Sequence, residues 1–147
     1  MLMQRLLKEA PNAMVTRFPI SLDEPGSIVT RIRQAVEQAA DLIILIGGSG
    51  SGHLHSEILG KDCTGESMES LLEESTASAL YGKNGHMWSR LVCGRIGGCL
   101  VVNVPGPYTE ARVAADALCE HLDGSLEQIN SAMAEAVRTC YLKNPNY

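Results

Sequence analysis

Apolar positions alternate between helical and strand spacing along the chain. Leu2, Leu6 and Leu7 share one side of a short helix over residues 2–9, which Pro11 and Asn12 break. Residues 14–20 read as a strand whose Pro19 places its end at a sheet edge or terminus. Asp23 is placed to cap the next helix, with Pro25 in its first turn, where a missing N–H is tolerated. Ile28, Ile32, Val36 and Ala39 then recur at 3.6-residue spacing, while Arg31, Arg33, Glu37 and Gln38 face water. Residues 41–46 (DLIILI) form an apolar run with the character of a central parallel strand buried on both faces. Residues 53–65 are irregular and polar. A helix is predicted from Glu66 to about Leu80, with Met68, Leu71, Leu72 and Ser75 inward, and a loop over 82–85.

The segments SRLVCGR and CLVVNV predict two strands joined by a tight turn at Ile96-Gly97-Gly98. Pro105-Gly106-Pro107 halts the chain before a helix from about Tyr108 to Leu122. Ser125 and Gln128 fit a capping box opening a last helix, with Leu126, Ile129, Met133 and Val137 as its stripe. This order predicts an α/β fold over residues 1–147: a three-layer α/β/α sandwich with a mostly parallel sheet, ending in a β-hairpin and two helices. Residues 124–147 form an extra C-terminal helix.

Composition narrows the function. The 147 residues are enough for one domain with its own core, and 45% hydrophobic with 20% charged is ordinary for a globular chain. No apolar run approaches the roughly 18 residues that span a bilayer, which excludes a membrane partner. The N-terminus lacks a signal-peptide pattern, so the expected location is cytoplasmic. Net charge is −5, with 12 basic and 17 acidic residues and no basic cluster, which argues against nucleic acid as a partner. A small anionic ligand stays compatible, because backbone N–H groups bind one without side-chain charge. Five cysteines (Cys63, Cys93, Cys99, Cys119, Cys140) contain no CxxC pair, arguing against a disulfide framework or a zinc site. They read as core hydrophobes, with Cys63, in a polar stretch, the candidate for exposure.

The chemistry concentrates where the strand over 41–46 empties into Gly47-Gly48-Ser49-Gly50-Ser51-Gly52. Ligands of open α/β sheets sit outside the carboxyl ends of the strands. Four glycines in six residues permit positive φ angles and close backbone approach, and exposed N–H groups can form an anion-binding nest. Ser49 and Ser51 add hydroxyl donors. The stretch is neither a Walker A loop, lacking GK[ST], nor a dinucleotide GxGxxG, since His53 or His55 stands where the third glycine belongs. Pro105-Gly106-Pro107 follows a second buried strand. If the two strands are neighbours, both turns open at one sheet edge and wall one pocket, stiffened by the fixed φ of the prolines.

These two segments, in this order, resemble the molybdopterin-binding domain family that includes the Mog and MoaB proteins, MoeA and gephyrin domains. ADLIILIGGSGSG (residues 40–52) is similar to that family's aDlvittGGtgxG. SRLVCGRIGGCLVVNVPGPYTEA (residues 89–111) is similar to its sravaGxrgxtlivnlPGxPxav. The resemblance covers residues 2–122 and implies a compact α/β fold, trimeric in stand-alone members. It implies molybdopterin or adenylated molybdopterin as the ligand. Members adenylate molybdopterin with MgATP or insert molybdate into the adenylated form. By resemblance Gly47, Gly48, Ser49, Gly50, Ser51 and Gly52 cradle the pterin or its phosphate, and Pro105, Gly106 and Pro107 form the opposing wall.

Two departures stand out. The family carries a loop aspartate in contexts such as GPRD or GEYD, important for magnesium handling and catalysis. Counted three residues past the last glycine, that place holds His55, and imidazole is a poor magnesium ligand. Glu57 lies two residues on and is the other weak catalytic candidate. His53 and His55 with His86 are read as loop histidines, solvated or bonded to the ligand, so no metal site is assigned. The family also begins with a strand ahead of the first helix, where this sequence is already helical. The missing strand is then supplied by another chain, or the sheet is rearranged, or Met1 is a mis-assigned start; an oligomer is expected. Enzymatic activity stays open between a molybdopterin-handling enzyme, a non-catalytic pterin or nucleotide sensor, and an assembly subunit completed by a partner. Trp88 is expected in core or interface packing, Arg95 as a solvated turn charge, and Glu110 as a complement to a helix dipole.

Overall fold

The computed structural model describes residues 2–20, 24–48, 63–82, 85 and 87–143. Its elements are α1 (Leu2–Glu9), α2 (Pro25–Glu37), β1 (Leu42–Ile46), α3 (Thr64–Leu71), β2 (Glu74–Tyr81), β3 (Met87–Ile96), β4 (Cys99–Val104), α4 (Tyr108–Glu120) and α5 (Leu126–Lys143).

The strands form one sheet in the order β1-β4-β3-β2. β1 runs parallel to β4, from Leu42 opposite Leu100 to Ile46 opposite Val104. The other two pairings are antiparallel. Side chains alternate across the sheet and feed two cores. Leu91, Cys93, Leu100, Val102 and Val104 pack beneath α4 and α5, with Leu42 and Ile44 at the margin. Val92, Cys99 and Val101 pack beneath α2 and α3, with Ile43 and Leu45 at the margin. The layering is therefore α/β/α, as the element order predicted. Among the described residues no helix is long and apolar enough to cross a membrane.

Parallel pairing does not predominate, for two reasons. Residues 14–20 lie outside any strand, and all but half-buried Phe18 are exposed, so the strand expected there is absent. The expected helix over 66–80 ends at Leu71, and residues 74–81 become β2. Ser75, Thr76 and Ser78 are weak helix formers, and pairing along β3 supplies this segment with eight registered partners, from Glu74 opposite Arg95 to Tyr81 opposite Met87. Tertiary pairing outweighs an apolar stripe that is short and interrupted. Among the described residues β1 is also an edge strand rather than a central one: Leu42 to Leu45 are half-buried and Ile46 is exposed.

Several local rules hold, and two do not. Gly97-Gly98 makes the two-residue β3–β4 turn, with Gly97 at φ +56°. Ser125 accepts from the N–H of Gln128 at 3.2 Å while the Gln128 side chain accepts from the N–H of Ser125 at 2.9 Å, completing the capping box of α5. Leu126, Ile129, Met133 and Val137 are all buried. α5 is further pinned by buried Asn130, which accepts from the Ser78 hydroxyl and donates to the Leu91 carbonyl at 3.0 Å. α1 packs on α4, where Arg5 bridges Glu9 and Asp116. Ala39 does not extend the stripe of α2, because the helix has already ended and Ala39 sits at φ +61°. Asp23 lies outside the described residues, and Pro25 opens α2 as expected. Cys63 is buried against α2 and the sheet, not exposed.

Candidate functional site

The carboxyl ends of β1 and β4 lie side by side, so the turns that follow them meet. Ile46 is in register with Val104, and the Gly47 N–H donates to the Val104 carbonyl at 3.0 Å, extending the ladder one residue past β1. Gly47 and Gly48 then take φ values of +91° and +64°, a region L side chains avoid. Across from them, a Cβ added to Gly106 would stand 3.6 Å from the Gly47 Cα, in ordinary van der Waals contact. Two bare backbones therefore face each other with no side chain between. Pro105 is buried beneath the turn, Gly106 is exposed, and Pro107 at φ −59° leads into α4. The first-turn N–H groups of α4 open at this edge, a place suited to an anion.

Of the expected site residues, Gly47, Gly48, Pro105, Gly106 and Pro107 follow the paired ends of β1 and β4 and lie at one end of the sheet. Ser49, Gly50, Ser51, Gly52, His55 and Glu57, with His53 and His86, lie outside the described residues.

Three further groups shape the same end of the sheet, and sequence reasoning passed over the first two. Asn103, wholly buried in β4, accepts from the Val92 N–H at 2.6 Å and donates to the Arg90 carbonyl at 3.1 Å. Backbone pairing of β3 with β4 stops one residue earlier, at Cys93 opposite Val102. The carboxamide thus fills a donor and an acceptor that the ladder abandons, and β4 is free to follow β1 toward the glycine turn. The available signal was an asparagine inside an otherwise apolar strand. Arg90, the next inward-facing position of β3 before Val92, forms an ion pair with Glu69 of α3. Its guanidinium packs beside Gly65, where a Cβ would be 3.5 Å from the nitrogen. The start of α3 is consequently fixed at the carboxyl end of the sheet. The third group is Glu110, in the first turn of α4, which is buried and partnered, so it is more than a solvated complement to the helix dipole.

Other candidates lie elsewhere. Trp88 stacks on Tyr141 of α5 with ring centroids 4.5 Å apart, in packing as expected. Arg95 stands opposite Leu100, at the far end of the sheet, lining a shallow cleft of about 340 Å³ with Glu74, Ser75 and the start of α5. Burial pushes the Cys93 thiol up to about 11, with Arg95 opposing only partly, and burial also raises Cys99 and Cys119. These three are held as neutral thiols, unsuited to nucleophilic work. Among the described residues no group of three His, Cys, Asp or Glu side chains could hold a metal ion.

No family model matches the chain, and no curated protein matches it. Solved structures do. A structure of MogA is 25% identical over 86% of this chain and 87% of its own, with a TM-score of 0.62. The molybdopterin biosynthesis Mog protein from Mycobacterium ulcerans is 27% identical, over 71% of this chain and 69% of its own, with a TM-score of 0.51. A molybdopterin biosynthesis protein from Mycobacterium abscessus, 19% identical, shares the fold over 96% of this chain and 80% of its own at a TM-score of 0.52. The chain is Mog-like, in agreement with the two motifs.

Proposed function

We propose that this Mog-like chain acts in molybdenum-cofactor biosynthesis, holding a phosphate-bearing pterin at the paired turns of Gly47-Gly48 and Gly106. One observation carries the reading: the two family-like motifs, 58 residues apart in sequence from Gly48 to Gly106, lie so that a single methyl added at Gly106 would reach the Gly47 backbone. The ligand is molybdopterin or its adenylated form. The amides of residues 48–52 and of the first turn of α4 are the donors offered to its phosphate.

The acid this chemistry needs is better sought at Asp62 than at His55. Gly60-Lys61-Asp62 carries a glycine, a base and an acid in the order of the GPRD context, one residue shorter. Asp62 also immediately precedes Cys63 and Thr64, both buried where α3 is anchored to the sheet. On this reading the chain is an adenylyltransferase, and the sensor reading loses its main support.

The test is pyrophosphate release from ATP in the presence of magnesium and molybdopterin, together with calorimetric titration of molybdopterin. Gly106→Val, which places methyls against Gly47, is expected to weaken binding at least about tenfold, or about 1.4 kcal/mol, with the urea midpoint unchanged. Asp62→Asn is expected to bind but not turn over. Full binding by Gly106→Val removes the paired turns from the site. Turnover by Asp62→Asn returns the acid's role to another residue.

A further inference from the structure

We infer, on the function proposed above, that the Arg90 side chain is a positioning residue: it holds the start of α3 at the ligand end of the sheet, and turnover depends on that hold more than binding does. The place is an uncommon one for a charge. β3 is an interior strand, flanked by β4 and β2. Arg90 shares a face with Val92, which packs in the core beneath α2 and α3. At the rim of that core the guanidinium pairs with Glu69 of α3 and lies against Gly65. A Cβ at residue 65 would already touch the guanidinium nitrogen, at 3.5 Å, and Val92, at 3.4 Å.

Such a pair is a poor choice for stability alone. Withdrawing two charges from water offsets much of what their attraction returns, and apolar residues of similar size pack at least as well. What an ion pair between two elements adds is geometry, because a forked guanidinium accepts few placements of its carboxylate. Here it fixes α3 close to its start, with Gly65 in the first turn and Glu69 one turn on.

The main chain of Arg90 serves the other side. Its carbonyl accepts from the Asn103 carboxamide at 3.1 Å, and Asn103 lies in β4, two residues before Pro105. One residue thus ties α3 by its side chain and β4 by its backbone, and β4 leads into the Gly106 turn. The helix starts of α3 and α4, both at this end, are spaced through it. The acid candidate Asp62 joins α3 through the N-cap residue Cys63. Holding reacting groups in geometry is worth orders of magnitude in rate. The paired turns that grip the ligand follow β1 and β4, and they keep their shape without the ion pair.

Two variants of the full chain test this. Arg90→Met removes the guanidinium but keeps an unbranched stem and the carbonyl that Asn103 holds. Glu69→Gln breaks the same pair from a side chain that is 35% exposed. Both are expected to lower kcat for pyrophosphate release at least about tenfold, while the calorimetric Kd for molybdopterin moves less than about threefold. Hydrogen exchange gives a readout apart from activity. The Ser67 N–H donates to the Cys63 carbonyl and the Leu72 N–H to the Met68 carbonyl, both at 2.9 Å. Exchange over residues 67–72 is expected to quicken at least about tenfold, with circular dichroism unchanged. If Arg90→Met loses its circular dichroism, Glu69→Gln decides alone. Equal losses of kcat and affinity would mark the pair as merely structural and overturn the inference, as would unchanged kcat or unchanged exchange in either folded variant. A parent that releases no pyrophosphate would instead fail the proposed function, and exchange over residues 67–72 would then decide the hold on α3 by itself.

Discussion

Ala39 offers a direct measurement of backbone strain just ahead of the site-bearing strand. α2 ends in a Schellman arrangement: the Ala40 N–H donates to the Ala35 carbonyl at 3.1 Å, and the Ala39 N–H donates to the Val36 carbonyl at 3.0 Å. The residue at the centre of this motif takes a left-handed conformation and is usually glycine; here it is alanine at φ +61°. Holding an L residue there costs about 1–2 kcal/mol. Glycine removes that strain but adds about 0.5–1 kcal/mol of unfolded-chain freedom. The difference predicts that Ala39→Gly stabilises the protein by about 0.5–1 kcal/mol, raising the melting temperature by about 2–4 °C for a domain of this size. Urea unfolding is the assay, with the midpoint rising and the slope m unchanged. Ala39→Val is expected to move the midpoint the other way, because a β-branched side chain fits this region worst. Loss of stability in Ala39→Gly would refute the motif and imply that α2 continues, which would displace Asp41 and the start of β1 from β4.

Two other perturbations follow from named atoms. Asn103→Leu keeps the branched outline of the side chain but strips partners from the buried Val92 N–H and the Arg90 carbonyl, and is expected to cost about 2–4 kcal/mol in a urea titration; a loss under about 1 kcal/mol would mean water reaches both groups. For Cys93 the unfolded thiol ionises near 9.0 and the folded one near about 11, so stability is intact below pH 9 and falls as pH rises through that window, by about 2–3 kcal/mol at its upper end. Cys93→Ala should flatten the slope of unfolding free energy between pH 9 and 11, and an unchanged slope would contradict the assignment.

The parts of the fold that were legible in the sequence are those decided locally. The hairpin turn at Gly97-Gly98, the Ser125–Gln128 box and the stripe of α5 each depend on residues within a turn or two of each other. Their chemistry leaves few alternatives. The two glycine turns were legible in a weaker sense. Each motif fixed only its own loop, and their meeting depended on β1 and β4 being neighbours, which Leu42 opposite Leu100 through Ile46 opposite Val104 provides. What the sequence concealed was decided by pairing at a distance. Residues 74–81 carry a helical stripe, yet β3 takes them as a strand. Residues 14–20 carry a strand pattern, yet no strand of the same chain takes them. Asn103 looked like a polar intrusion in an apolar run, and only the departure of β3 from β4 gives its carboxamide a purpose. These cases share one cause. A strand is half a structure, and its residues state a preference that a partner must complete. For β2 the partner lies in the same chain and the strand forms against its own helical pattern. For residues 14–20 the preference stands without a partner among the described residues, so their exposed backbone shows how little a strand pattern decides when no pairing completes it.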